Sequence, residues 1–224
     1  MAHIHGIAGE WARVKGTVVG LWPIFLGVFV AGLAVGILAV STVWGVCMLV
    51  LALSSVGYSL MQGLRRTARF FVGARGEERV SGILRELPDR YHVFNDFVAG
   101  GLHVDHVVVG PAGVFAVETK YWRGRVTVEE GCVLVDGRLP TRSPLDQVRR
   151  EAHRVRQTLE KLGWDGAVTP ILVFASDTFQ AHIAEVQGTV IINSCEIRKS
   201  FATERVLLPQ AELDRLVSLM ENNT

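Results

Sequence analysis

Between residues 16 and 64 the chain has no Asp, Glu, Lys, Arg or His, a gap of 49 positions in a sequence of 224. It also lacks net charge. The formal total is +1, and beyond Leu64 21 basic residues stand against 21 acidic ones. No long-range field draws in nucleic acid, so any such contact must rest on local patches. Cysteine is scarce: Cys47, Cys132 and Cys195 follow no metal-ligand spacing, which excludes a disulfide scaffold and suits a reducing compartment. No repeat or low-complexity stretch follows Leu64, so disordered and collagen-like readings fall away. Charged residues make up 20% of the chain and hydrophobic ones 49%, against about 25% charged in an average soluble domain. The apolar excess lies in the gap, and residues 65–224 suffice for one domain with its own core.

As one helix the gap would be about 73 Å long, whereas a bilayer core of about 30 Å takes about 20 residues. The length predicts two spans, at about 21–40 and 42–62, with a tight turn near Ser41-Thr42 and Pro23 in the first helical turn. Trp22 and Tyr58 then sit near one interface and Trp44 near the other. Basic flanks, Arg13 and Lys15 before and Arg65, Arg66 and Arg69 after, put both ends in the cytoplasm by the positive-inside rule. The expected location is a cell membrane, the bacterial inner membrane, with the lipid bilayer as a partner. A cleaved signal peptide competes, but a second apolar run follows at once. Gly32 and Gly36 form a G-x-x-x-G pattern, read as packing within the hairpin, with a homodimer face as the alternative. Residues 1–20 form a cytoplasmic N-terminal segment and 63–72 a basic juxtamembrane linker that could meet anionic head groups. Residues 73–224 form the globular domain.

Within that domain, residues 76–87 carry helical spacing that ends at Pro88. Strands are expected at 91–98, 103–109 and 113–120, a hairpin at 125–128 and 132–135, and an amphipathic helix at 144–162. Further strands follow at 168–175 and 190–193, with a closing helix at 210–220. This order predicts an α/β (α+β) domain with a mixed sheet.

The chemistry concentrates between Val104 and Lys120. Gly110-Pro111-Ala112-Gly113 suits a β-turn, and pairing Gly110 with Gly113 sets Asp105 opposite Glu118 and His103 opposite Lys120. Asp105, Glu118 and Lys120 then share one face. Facing carboxylates about 5 Å apart repel unless something positive lies between them. A hard divalent cation held by both acids, with Lys120 stabilising charge on a reacting phosphate, suits phosphodiester hydrolysis. A structural salt bridge, with Lys120 neutralising both acids, accounts for the same spacing.

Gly76-Glu77 opening a helix, then Asp105, then Glu118-Thr119-Lys120, and Gln147 after Ser143-Pro144 resemble the NERD (nuclease-related) domain over about residues 72–175, leaving 176–224 as an extension. That family is similar to the PD-(D/E)xK restriction-endonuclease-like superfamily. The resemblance implies a restriction-endonuclease-like core and a nuclease site using Mg²⁺ (or Mn²⁺). Catalytic residues would be Lys120, Glu118, Asp105, Glu77 and Gln147, with Asp105, Glu118 and Glu77 as metal ligands. Val104 departs from the superfamily's motif, which has Pro there, and either Glu77 or Glu78 could face the site.

Other features have plainer readings. Arg149, Arg150, Arg154 and Arg156 could meet phosphates but read as a solvated helix face, interrupted by Glu151 and Glu160. Tyr121 and Trp122 could stack on a base but read as packing, and His106 as a satisfied histidine. His3 and His5 form an H-x-H that could bind a metal but read as part of a mobile terminus. Two functions compete: a membrane-anchored, cytoplasm-facing nuclease acting on DNA, or on RNA, and a non-catalytic membrane-tethered nucleic-acid-binding or scaffold protein. The paired acids favour the first, the neutral charge balance the second.

Overall fold

The computed structural model describes residues 1–38, 40–176, 179, 184–201 and 206–222, the side chains of 59 and 62–69 excepted. The chain divides into two compact units, one of Met1–Glu10 with Gly73–Thr224 and the other of Trp11–Val72.

The Trp11–Val72 unit consists of two helices. Helix α1 (Glu10–Leu38) begins well before residue 21, so Pro23 lies inside it rather than in its first turn. The helix-forming run Glu10-Trp11-Ala12-Arg13-Val14-Lys15 carries it back to Glu10, and a proline is tolerated within an apolar helix where neighbours re-satisfy the freed carbonyl. Helix α2 (Thr42–Arg85) runs through 63–72, so the expected linker is helical. No proline interrupts the chain between Thr42 and Arg85, and α2 stops before Pro88, which cannot continue it. Among the described residues one helix, Glu10–Leu38, is long and apolar enough to cross a membrane; the apolar stretch Thr42–Tyr58 is shorter. The two helices touch closely at Gly27, where a Cβ would lie 1.9 Å from Val56 Cγ2. Gly27 and Ala34 are buried. A Cβ at Gly32 or Gly36 would meet nothing within 4 Å among the described residues, so the G-x-x-x-G pair is not the hairpin's packing seam there. The contact expected between Arg65, Arg66 and Arg69 and head groups falls outside the described side chains.

The other unit is built on a seven-stranded mixed sheet ordered β1-β2-β3-β4-β7-β9-β8. Its strands are β1 (His3–His5), β2 (His92–Ala99), β3 (Leu102–Gly110), β4 (Gly113–Lys120), β7 (Val168–Phe174), β8 (Ala184–Val186) and β9 (Thr189–Asn193). A separate hairpin, β5 (Val126–Glu129) and β6 (Cys132–Val135), stands beside it. Antiparallel β2, β3 and β4 give way to parallel β4, β7 and β9. Alternation sends Val107, Val114 and Ala116 to one face, under α3 (Pro144–Lys161) and α5 (Gln210–Glu221). It sends Val93, Val108, Val117 and Ile171 to the other, against Val80 and Leu84 of α2 and Ile197 and Phe201 of α4 (Ile197–Phe201). The nine elements expected from Tyr91 onward are present with boundaries moved by at most one residue.

The terminus departs from expectation. β1 pairs in parallel with β2, His3 opposite His92 and His5 opposite Phe94, so residues 3–5 form an edge strand. Ala2 N donates to Arg85 O at 3.0 Å and His3 N to Tyr91 O at 2.9 Å. A three-residue strand is too short to carry a periodic signal, and its docking is a long-range event.

Candidate active site

At the β3–β4 turn Gly110 lies under the Tyr91 ring, where a Cβ would come within 2.2 Å of two ring carbons, so the position has no room for a side chain. The register from Gly110↔Gly113 to His106↔Val117 is the expected one. The ladder then stops one pair short of Asp105 and Glu118. Asp105 Oδ2 accepts the Thr119 backbone N–H at 2.7 Å, taking a donor out of the strand pairing, while β4 from Val114 to Lys120 is paired with β7. On the other side Asp96, at φ 54°, leaves the β2–β3 register between Asn95↔His106 and Phe97↔Val104. His103 pairs with Val98 on the β2 edge, and its expected pairing with Lys120 lies beyond the point where the β3–β4 ladder stops. The strand carrying Asp105 is thus released from its neighbours at the position the acid occupies.

Glu118 is 4% exposed. Its Oε1 accepts from Lys120 Nζ and from Gln147 Nε2 at 2.6 Å, and Lys120 Nζ also donates to Gln147 Oε1 at 2.9 Å. Gln147 comes from α3, whose start is fixed by Pro144 in the first turn and by Ser143, whose hydroxyl accepts from Asp146 N at 3.2 Å. One turn on, Glu151 Oε1 accepts from the same Gln147 amide at 2.9 Å. Glu151 is 5% exposed, and among the described residues its Oε2 has no hydrogen-bond partner. The sequence reading set Glu151 on a solvated face. The missed signal is its position four residues after Gln147, beside the apolar Val148, Ala152 and Val155.

Glu77 is half-buried and Glu78 exposed. Burial, then the charges of Asp96 and Glu118, push the Glu77 carboxyl up to about 7, against pulls from Lys120 and the Gly9 backbone N–H. Burial, Glu118 and Glu77 hold Asp105 well above the usual carboxylate range. Burial, with Glu118 next, raises Glu151 to about 9. Burial disfavours the Lys120 ammonium, but Glu118, Asp105 and Glu151 outweigh it and raise its pKa. The structure therefore gathers Glu77, Asp105, Glu118, Lys120 and Gln147 into one electrostatic neighbourhood and adds Glu151.

Among the described residues no group of three His, Cys, Asp or Glu side chains is gathered to hold a metal ion. Glu118 is turned to Lys120 and Gln147, and Asp105 to Thr119 N–H. The donors are nonetheless the hard oxygens that Mg²⁺ or Mn²⁺ takes, and the charges that help raise Glu77 and Asp105, that of Glu118 on both and that of Glu77 on Asp105, are an excess of negative charge that a cation relieves.

Trp122 packs on Phe174, with centroids 5.6 Å apart, and Arg156 pairs with Glu160 along α3, as the plainer readings expect. His106 is buried and its Nδ1 meets Asn95 Oδ1 at 2.8 Å. Its Nε2 has no partner among the described residues, so it is only half satisfied there.

The fold is a mixed-sheet α/β domain with a lysine, a glutamine and clustered carboxylates at the end of its central hairpin, which fits a nuclease-like core. Residues 72–175 match the family model of NERD, the nuclease-related domain. No curated protein and no solved structure matches the chain.

Proposed function

We propose that the chain is a membrane-anchored, cytoplasm-facing, metal-dependent nuclease with a restriction-endonuclease-like core, hydrolysing phosphodiester bonds of DNA, or of RNA. The observation that carries this reading is the Lys120–Glu118–Gln147 network beside Asp105 and Glu77, inside the segment that matches the nuclease-related domain. Asp105, Glu118 and Glu77 would hold Mg²⁺ or Mn²⁺, which when bound supplies Lewis-acid stabilisation of phosphate oxygens. Lys120 presents an ammonium to charge that develops on the phosphate. Gln147 holds Lys120 and Glu118 in position, and Glu151 fixes the Gln147 amide.

Full-length protein in detergent, assayed on single- and double-stranded substrates with Mg²⁺, tests the reading. Lys120→Ala is expected to lower kcat about 10²–10³-fold, with a much smaller change in KM. Lys120→Arg stays low, because a planar fork does not fit a niche shared with Glu118 and Gln147. A wild-type protein that binds nucleic acid yet never cleaves it in a metal-dependent way is a tethered scaffold instead.

The membrane part of the proposal is a two-pass hairpin. It is supported by chain parity: Met1–Glu10 and Gly73–Thr224 belong to one folded unit, so the intervening chain crosses a bilayer an even number of times or not at all.

A further inference from the structure

At the β1–β2 edge three imidazoles stand in one stack. Alternation along β1 puts His3 and His5 on the same face, and His92 is the Cα partner of His3. The His3 and His92 rings stack at 4.8 Å, His92 and His5 at 5.5 Å, and His5 rests on Phe94 at 4.4 Å. His5 Nε2 and His92 Nδ1 are 3.2 Å apart. Two imidazole donors bound to one tetrahedral ion at about 2.0–2.1 Å stand about 3.3 Å apart, so this pair already has the spacing of one coordination edge. On its other side His5 Nδ1 lies 3.4 Å from Glu221 Oε1, at the end of α5. A ligating histidine commonly gives its second ring N–H to a carboxylate, which fixes the tautomer and leaves the other nitrogen's lone pair for the ion. His3 is exposed, so the edge is open to solvent. Burial also holds His5 and His92 below the usual histidine range, the neutral form in which imidazole ligates.

We infer that His3, His5 and His92 form a binding site for a borderline divalent transition metal of the Zn²⁺ class, with Glu221 orienting His5. No three donors meet at one point as the rings stand, so binding draws the His3 ring out of the stack while the His5–His92 edge is kept. The site is separate in chemistry from the oxygen-lined cluster around Asp105: imidazole selects Zn²⁺, Co²⁺, Ni²⁺ or Cu²⁺ and leaves Mg²⁺ aside. Its consequence is mechanical, since it bridges a short edge strand and the sheet. It stands independently of the nuclease reading.

The test uses full-length protein in detergent, metal-free and with Cys132→Ser and Cys195→Ser in place, titrated with Co²⁺ followed by visible absorption and then with competing Zn²⁺. One equivalent is expected to bind, with d–d bands of nitrogen ligation and no displacement by millimolar Mg²⁺. His92→Asn and His5→Asn are each expected to weaken binding about tenfold or more. His3→Asn, at an exposed position where folding is not at stake, is expected to weaken it too, and Zn²⁺ is expected to raise the thermal midpoint of the parent but not of the His92→Asn protein. Absence of saturable binding overturns the inference, as does binding that survives all three histidine substitutions in proteins with unchanged circular dichroism.

Discussion

Glu151 and His106 are both buried ionisable groups, and they pull stability in opposite directions with pH. The Glu151 carboxyl titrates near 4.5 when unfolded and at about 9 when folded. Its contribution is full below pH 4.5 and is lost as pH rises through about 9, because the folded state keeps a proton that the unfolded one has released. His106 runs the other way. Burial lowers it from 6.5 to about 3, so its contribution is present above pH 6.5 and lost as pH falls toward 3. Glu151→Gln keeps an acceptor for Gln147 Nε2 and removes the titration. Its advantage over wild type is expected to grow from pH 5 to pH 9, reaching on the order of a few kcal/mol. Urea midpoints at pH 5, 7 and 9 with chelator present check this. Midpoints that track wild type across the range would mean that the folded acid is ionised.

Among these residues, Asp105, Glu118 and Lys120 were legible because a two-residue turn fixes register and strand alternation fixes face. Sequence could not show that the ladder ends at His106 and that Asp105 takes the Thr119 N–H instead. That depends on β4 being paired on its other edge with a strand about 50 residues away. Glu151 was hidden for a related reason: a charge among Arg149, Arg150 and Arg154 reads as solvent-facing until the Gln147 partner is known to point inward.

At the scale of elements, the sheet from β2 to β9 and the helix α3 follow from alternation, turn residues and a Ser-Pro helix start. The strand β1 and the length of α2 do not, because one is defined only by its partner and the other by the absence of any stop signal. The helical hairpin carries its own test. A side chain at Gly27 collides with Val56, whereas one at Gly32 or Gly36 meets nothing. Gly27→Leu is therefore expected to destabilise the hairpin by about 1–3 kcal/mol, the usual cost of overpacking, read as a lowered thermal midpoint in detergent. Gly32→Leu and Gly36→Leu are expected to leave that midpoint unchanged. If they lower it as Gly27→Leu does, a second copy of the chain occupies the open face, which is the homodimer alternative.

For the whole molecule the governing fact is that the chain leaves one folded unit at residue 10 and re-enters it at residue 73. A single crossing would put β1 and β2 on opposite sides of the bilayer, yet they are hydrogen-bonded strands of one sheet. The stretch Thr42–Tyr58 alone is about 26 Å long as a helix, short of the hydrocarbon core. The uncharged run continues to Leu64, and 42–64 reaches about 35 Å, enough to span with some tilt. An arginine at the centre of a span costs about 2.5–3.5 kcal/mol, so in the proposed two-pass arrangement Arg13 and Lys15 before the run and Arg65 and Arg66 after it would bound it at the cytoplasmic face. A C-terminal reporter is accordingly expected on the cytoplasmic side, and Ser41→Cys, with Cys47, Cys132 and Cys195 replaced by serine, is expected to react with a membrane-impermeant thiol reagent added from outside. A C-terminal reporter on the outer face would sink the cytoplasmic reading. A Cys at position 41 reached only from the cytoplasm would convert the two-pass hairpin into one that dips into the bilayer and returns, which satisfies the same parity without crossing.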